Sequence, residues 1–577
     1  MAQDNLKQTD ETTEPTDAEE QFALGNKYYN GEGVPQDYEK AAYWYTKLAE
    51  QGYAGAQNNI GICYKNGEGV PQDYEKAVYW YTKAVEQDFA DAQCGLGACY
   101  DNGEGVPQDY AKAVYWYTKA AEQGDINAQF NLGNKYYYGE GVPQDYEKAV
   151  YWYAKSAEQG FANAQSSLGS CYVYGIGVTQ DNEKAAYWYT KAAEQGFASA
   201  QCGLGSCYKD GKGVAQDNEK AAYWFTKSAE QGHIGAQFDL GIFYFGGDGV
   251  PQDSEKGEYW LTKSAEQGHI GAQYTLGVIY FDGQVLPQDY EKAVYWYTKA
   301  AEQGIEAAQF RLGSIYYNGE GIPQDYEKAV YWYTKAAEKG NNDAQYSLGY
   351  FYFIGEGVPQ DYEKALYWYT KSAENENAGA QYNLGYCYFS GEGVPQDYEK
   401  AIYWYTRAAE QGDSEAQQRL GYCYSSGEGV PQDYEKAMYW YTKAAEQGDA
   451  DAQSDLGYCY HSGDGIPQDY EKAVYWYIKA AEQGNAKAQS NLGVCYFAGQ
   501  GTPKDHKRAA YWFAKAAEQG HADAQCNLGI CYAEGFGTSK DYEKAAYWYT
   551  RAVEQGNTLA ENYLNKLKAK QGEENNA

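Results

Sequence analysis

Histidine and methionine are close to missing from this sequence, with five and two copies in 577 residues. The histidines, His233, His269, His461, His506 and His521, form no His-x-x-x-His pair and stand near no nucleophile motif. That removes the usual zinc and catalytic-triad patterns, and no cofactor or metal is expected. Positive charge is the next shortage: 46 Lys and Arg face 81 Asp and Glu, a formal net charge of −35. Nucleic acids and anionic membranes are bound by basic clusters that replace counterions, so neither is expected as a partner. The acid excess keeps a large surface soluble; the alternative is an acidic site for a basic ligand. No apolar run approaches the roughly 18 residues of a membrane-spanning helix, so membrane insertion is not expected either. The first residues, MAQDNLKQTDETTEPTD, lack the apolar core of a signal peptide.

What is present is a repeat. The stretch AQYNLGYCYFSGEGVPQDYEKAIYWYTRAAEQGD, Ala380–Asp413, returns every 36 residues, and fifteen tryptophans from Trp44 to Trp548 mark its phase. A fixed period of about 20–50 residues signals a solenoid whose neighbouring units share their cores, counted as one elongated domain. In the second copy the spacing predicts helix A over about Ala54–Lys65 and helix B over about Tyr74–Gln87. Gly67 is the expected left-handed stop, Asp73 the N-cap of helix B, and Asp17 the cap of the first helix. Gly61, which recurs inside every helix A, predicts a close helix approach, with Trp80 against the gap. Tyr64, also invariant, is assigned to the shared core.

Twelve cysteines resemble a disulfide framework until they are placed. Nine share one slot (Cys63 and its equivalents), and Cys94, Cys202 and Cys526 lie five residues earlier in the same helix. Packed helices stand about 8–10 Å apart, beyond the reach of a disulfide, so free thiols and a reducing, cytoplasmic setting are expected. Lys27 and Lys135 occupy the cysteine slot in two copies, which predicts that it borders solvent there. The recurring Gly-Glu-Gly-Val follows a helix and lacks the Gly-Lys-Ser/Thr ending, so it is a connector, with weak divalent-cation binding as the alternative.

Ala-x-x-x-Leu-Gly-x-x-Tyr, Gly-x-Gly-Val-x-x-Asp and Lys-Ala-x-x-Trp-Tyr-x-x-Ala-Ala-x-x-Gly together resemble the Sel-one-like repeat, a relative of the tetratricopeptide repeat. The resemblance implies an all-α fold, an α/α solenoid in which helix–turn–helix repeats form a right-handed superhelix with the A helices lining its concave face. It also implies scaffold or adaptor work. The cysteine-rich secreted members pair a cysteine in each helix; helix B here carries none. The domain reading is an acidic disordered leader over 1–17, fifteen repeats over 18–556, a capping helix over 557–570 and a disordered tail over 571–577.

The candidate site lies in slots that vary among copies. The equivalents of Asn58, Ile62 and Lys65 are spaced i, i+4, i+7 and share a face. In the middle of the chain they turn aromatic. Phe238 and Phe245, Tyr274 and Phe281, then Phe310 and Tyr317 are followed by Tyr346, Tyr350 and Phe353. Tyr382, Tyr386 and Phe389 come next, and Tyr422 and Tyr458 extend the run. Arg311 and Arg419 are the only A-helix arginines. Rings on a groove supply contact area at low entropy cost, which predicts a non-enzymatic scaffold binding a protein or extended peptide. The alternative is that the rings only fill gaps between adjacent A helices. Two other functions stay open: binding of a peptidoglycan-type glycan, and a β-lactamase-like hydrolase activity as in the cysteine-rich relatives.

Overall fold

The computed structural model describes residues 17–464 and 466–574, with side chains to 570. The expected leader lies outside the described residues except for Asp17, as do residues 575–577. Among the described residues there are thirty-one helices and no strand; fourteen A–B pairs pack as hairpins, and a last helix follows the fifteenth repeat. The helices fall into two compact units, one ending at Asp289 and one beginning at Tyr290, so the A and B helices of the eighth repeat belong to different units. The boundary lies in the eighth connector, where Val285 replaces a glycine that takes a positive φ in other copies. Val285 stays out of the left-handed region, and the loop buries Leu286.

The second repeat shows why the pattern folds this way. Helix A spans Ala54–Asn66 and helix B Tyr74–Val85. Gly67 stops helix A at φ 75°, its N–H returning to the Cys63 carbonyl. Asp73 Oδ1 accepts from the Lys76 backbone N–H at 3.0 Å, and that bond holds its carboxyl below the usual range. Asp17 makes no such side-chain cap. Where the helix-B glycine stop is lost, Asp88 and Glu376 themselves take φ 58° and 65°.

The glycine inside helix A does mark a close approach, but to a different ring. A Cβ on Gly61 would stand 2.8 Å from Tyr81 Cε1. Tyr81 is fully buried, whereas Trp80 and most of the other tryptophans are half-buried. Only Trp44 and Trp296 are buried outright. Tyr64 is likewise half-buried, with the Lys76 ammonium 5.2 Å from its ring centre. The nine cysteines of the slot are buried and all twelve thiols are free, while Lys27 in the same slot is exposed, as expected. Burial pushes the Cys63 thiol up to about 12. Lys135, expected at solvent, is only 6 % exposed. Asp101 from the preceding repeat pairs with it, as does Glu140 at 2.8 Å, and these carboxylates make a buried ammonium tolerable.

A glutamine ladder ties each repeat to the one before. Gln57 Nε2 donates to the Ala49 carbonyl at the end of the previous helix B (3.1 Å), and its Oε1 accepts from Gln87 Nε2 (2.9 Å). The same pair recurs in the second unit, as Gln411 Nε2 donating to Gln381 Oε1 at 2.7 Å. Lys339 and Asn375 interrupt it. The lysine donates only to the Gly304 carbonyl and the asparagine is one methylene short, so the buried Gln309 Oε1 and Gln345 Oε1 have no partner. An orphaned buried acceptor costs about 1–3 kcal/mol. Lys339→Gln and Asn375→Gln should each raise local stability by about 1 kcal/mol, read from slower amide exchange in the ninth and tenth repeats. No change would mean the two carbonyls are already satisfied.

The last helix runs Thr558–Glu574, four residues past the expected end at 570. Leu564 and Leu567 close the core of repeat 15, and no proline follows to stop the helix.

Candidate functional site

Successive A helices touch one another directly, for example Ala54–Asn66 with Ala90–Asn102, and Asn342–Ile354 with Ala378–Ser390. That crowding pushes the three variable slots to different depths. Rings in the first and third slots are half-buried and lean on the tyrosines of helix B. Phe310, Tyr346 and Tyr382 lie 5.7, 6.1 and 5.8 Å from Tyr333, Tyr369 and Tyr405. In the third slot, Tyr317, Phe353 and Phe389 lie 5.9, 5.5 and 5.3 Å from Tyr326, Tyr362 and Tyr398. In the first unit, Phe238, Phe245, Tyr274 and Phe281 are half-buried as well. The Phe238 ring lies 4.8 Å from that of His269, tilted by 32°, and the Phe245 ring fills the space that Gly257 leaves open.

The middle slot is the exposed one. Tyr350, Tyr422 and Tyr458 are 38 %, 38 % and 49 % exposed, with Tyr386 half-buried. In other copies this slot is either apolar, as at Ile62, Ala98, Ile242, Val278, Val494 and Ile530, or holds a small polar residue that can anchor the inner tyrosine. Asn26 Oδ1 accepts from the Tyr45 hydroxyl at 2.8 Å, and Asn134 Oδ1 from Tyr153 at 2.7 Å. With Tyr386 and Tyr458 in the slot, the buried hydroxyls of Tyr405 and Tyr477 are left without a partner. Arg311 is exposed, and Arg419 is half-buried against the Tyr382 hydroxyl. Burial holds the Tyr382 hydroxyl above its ordinary range, and Arg419 works against that shift.

Tyr317, Tyr333, Tyr346, Ser347, Tyr350 and Phe351 enclose a cavity of about 200 Å³ between the ninth and tenth repeats. A related opening of about 190 Å³ lies between the fourth and fifth, lined in part by Tyr137, Tyr153 and Ser170. A different groove escapes the sequence reading. Tyr439, 54 % exposed, and Trp440 line about 470 Å³ on the helix-B side with Lys443 and Glu446, and Tyr511 and Trp512 line its counterpart of about 590 Å³. The signal was available: the tyrosine just before each tryptophan is turned about 100° around the helix, away from the core.

His233, His269 and His521 each cap an A helix from the loop before it. Their Nδ1 atoms accept from the backbone N–H of Ala236, Ala272 and Ala524 at 3.2, 3.0 and 3.3 Å. Burial holds the His233 imidazole below its usual pKa. Among the described residues no three His, Cys, Asp or Glu side chains group to hold a metal ion, and no helix is long and apolar enough to cross a membrane.

No curated protein matches the chain. Among solved structures, a protective antigen present in uropathogenic Escherichia coli strains, displaying an SLR fold, is 34 % identical. The match covers 92 % of this chain and 97 % of that one, with a TM-score of 0.49. A Sel1 repeat protein from Oxalobacter formigenes is 36 % identical over 52 % of this chain and 87 % of its own, with a TM-score of 0.42. Fifteen consecutive stretches, from 21–53 to 522–557, match the Sel1 repeat model. The chain therefore belongs to the Sel1 repeat family, whose solenoids are typically non-catalytic and generally act as protein-interaction scaffolds.

Proposed function

We propose that the protein is a non-enzymatic scaffold that holds an extended peptide of a protein partner along the A-helix face of its second unit. The middle-slot tyrosines are the anchors. One observation carries this reading: Tyr386 and Tyr458 occupy a slot where a small polar residue would satisfy a buried hydroxyl, and Tyr405 and Tyr477 go unsatisfied instead. A ring that costs local stability and lies at or near the surface is better explained by binding than by packing. Twelve free thiols fit a cytoplasmic setting for this work.

The test uses opposite signs. Short peptides are selected by display on the full-length chain and measured against Tyr386→Asn/Tyr458→Asn. Affinity should fall by about tenfold or more, while stability rises by about 1 kcal/mol as the hydroxyls regain partners. A variant that loses stability and keeps affinity would assign the rings to packing.

A second reading draws on the helix-B grooves at Trp440 and Trp512, where exposed aromatic edges beside polar side chains could stack on sugar rings. Retention of the full chain on cell-wall polysaccharide, lost in Tyr439→Ala/Tyr511→Ala, would favour it. Equal retention of the variant would dismiss it.

A further inference from the structure

Four observations about the junction between successive A helices point to a ligand chemistry. In three places the fold fills this junction, from three different grid positions, with a cation of its own. Between the third and fourth repeats, Lys135 is buried with Asp101 and Glu140, its ammonium 4.8 Å from the Tyr110 ring centre. Between the sixth and seventh, Lys209 pairs with Asp239 at 2.9 Å and lies 5.8 Å from the Phe225 ring centre. Between the eleventh and twelfth, the Arg419 guanidinium engages Tyr382. The two lysines are each held by a ring face and a carboxylate, and the arginine by a tyrosine hydroxyl.

Between the ninth and tenth repeats the same junction is open. On the 36-residue grid, Phe351, Tyr317 and Ser347 stand where Lys135, Lys209 and Arg419 stand in the other copies. All three line the cavity of about 200 Å³, and no lysine or arginine lines it. Five of its six lining side chains are aromatic, and Tyr350, 38 % exposed, marks its mouth. The counter-charge is also in place. Glu356 occupies the grid position of Glu140, the residue that holds Lys135. Its carboxylate adds to burial in holding the Tyr317 hydroxyl above its ordinary range, and Glu320 does the same at Tyr333. A ring-lined cavity beside a carboxylate favours a weakly hydrated cation over a neutral group or an anion.

We propose that this cavity receives the lysine or arginine side chain of a basic peptide, the partner replacing in trans the cation that other repeats supply in cis. The assignment rests on the peptide-groove reading and narrows it to one partner chemistry. It also gives the acidity of the chain a local use beyond solubility.

The experiment is a display selection of randomised short peptides on the full-length chain, at salt high enough to screen general surface charge. It is repeated on Tyr317→Lys/Ser347→Asp. That double variant copies the Lys209–Asp239 pair into the cavity and leaves the net charge unchanged, so a difference cannot come from bulk electrostatics. The expected result is enrichment of Lys or Arg at one peptide position, absent with the variant. Replacing that residue by neutral citrulline or norleucine should weaken the peptide at least about tenfold, and Glu356→Gln, a change outside the core, about fivefold. Binders with no basic preference, or a preference that the filled variant keeps, would overturn the cation assignment and leave the groove reading standing. An absence of any peptide binder would overturn both.

Discussion

Valine in place of Gly385 will loosen the eleventh hairpin by about 3 kcal/mol, the upper part of the usual range for overpacked cores. A Cβ at that position would stand 2.7 Å from Tyr405 Cδ1, 2.8 Å from Cε1 and 3.2 Å from the Ala401 carbonyl oxygen. Tyr405 is fully buried and cannot swing aside without opening the hairpin. Removing a helical glycine would normally gain about 1 kcal/mol, so the packing penalty sets the sign. Valine also withholds most of that gain, because its branched Cβ is stiff in a helix. Since a repeat array need not unfold in one step, the quantity to read is local. Amide exchange across Ala378–Ser390 and Tyr398–Glu410 should speed up about a hundredfold, with distant hairpins little affected. Unchanged protection would mean the ring adapts and the recurrent glycine has another cause.

That glycine shows how far the sequence could be read. The constant period supplied the hairpins, the caps and the reason for a residue without a side chain at a helix crossing. Which ring fills the crossing was another matter. Trp80 and Tyr81 are neighbours about 100° apart on one helix. Both belong to its apolar stripe, and only the crossing angle decides that the tyrosine points inward. Lys135 was misjudged for a similar reason. A charge reads as a surface marker until its partner is known, and Asp101 sits one repeat away on a facing helix. The glutamine ladder left a trace in the recurrence of Gln57 and Gln87, but an amide on a helix is usually a surface residue and carries no sign of burial by itself. For the candidate site, the spacing puts three slots on one face. It could not say that the face straddles the edge of the core, so that two slots are shelved on helix B and the middle slot holds the most exposed rings.

The inner tyrosine gives the sharpest separation of packing from hydrogen bonding. Tyr405→Ala removes a fully buried ring and should cost about 3–5 kcal/mol, the range for large aromatic truncations. Tyr405→Phe keeps the ring and deletes a buried hydroxyl that has no partner, so it should stabilise the hairpin by about 1 kcal/mol. The fold already accepts phenylalanine there: Phe225 and Phe513 occupy the same grid position and are buried to the same degree. The control is Tyr45→Phe, which deletes a hydroxyl that donates to Asn26 at 2.8 Å and should lose about 1 kcal/mol instead. Local exchange across each hairpin reads all three. If Tyr405→Phe and Tyr45→Phe move in the same direction, the hydroxyl of Tyr405 is satisfied after all, and the case that the middle-slot rings are kept at a cost in stability loses its support. If they move in opposite directions, the same chain tolerates a loss at Tyr405 and Tyr477 that it avoids at Tyr45 and Tyr153. The difference then lies in what the neighbouring slot presents: Tyr386 and Tyr458 in one pair, Asn26 and Asn134 in the other.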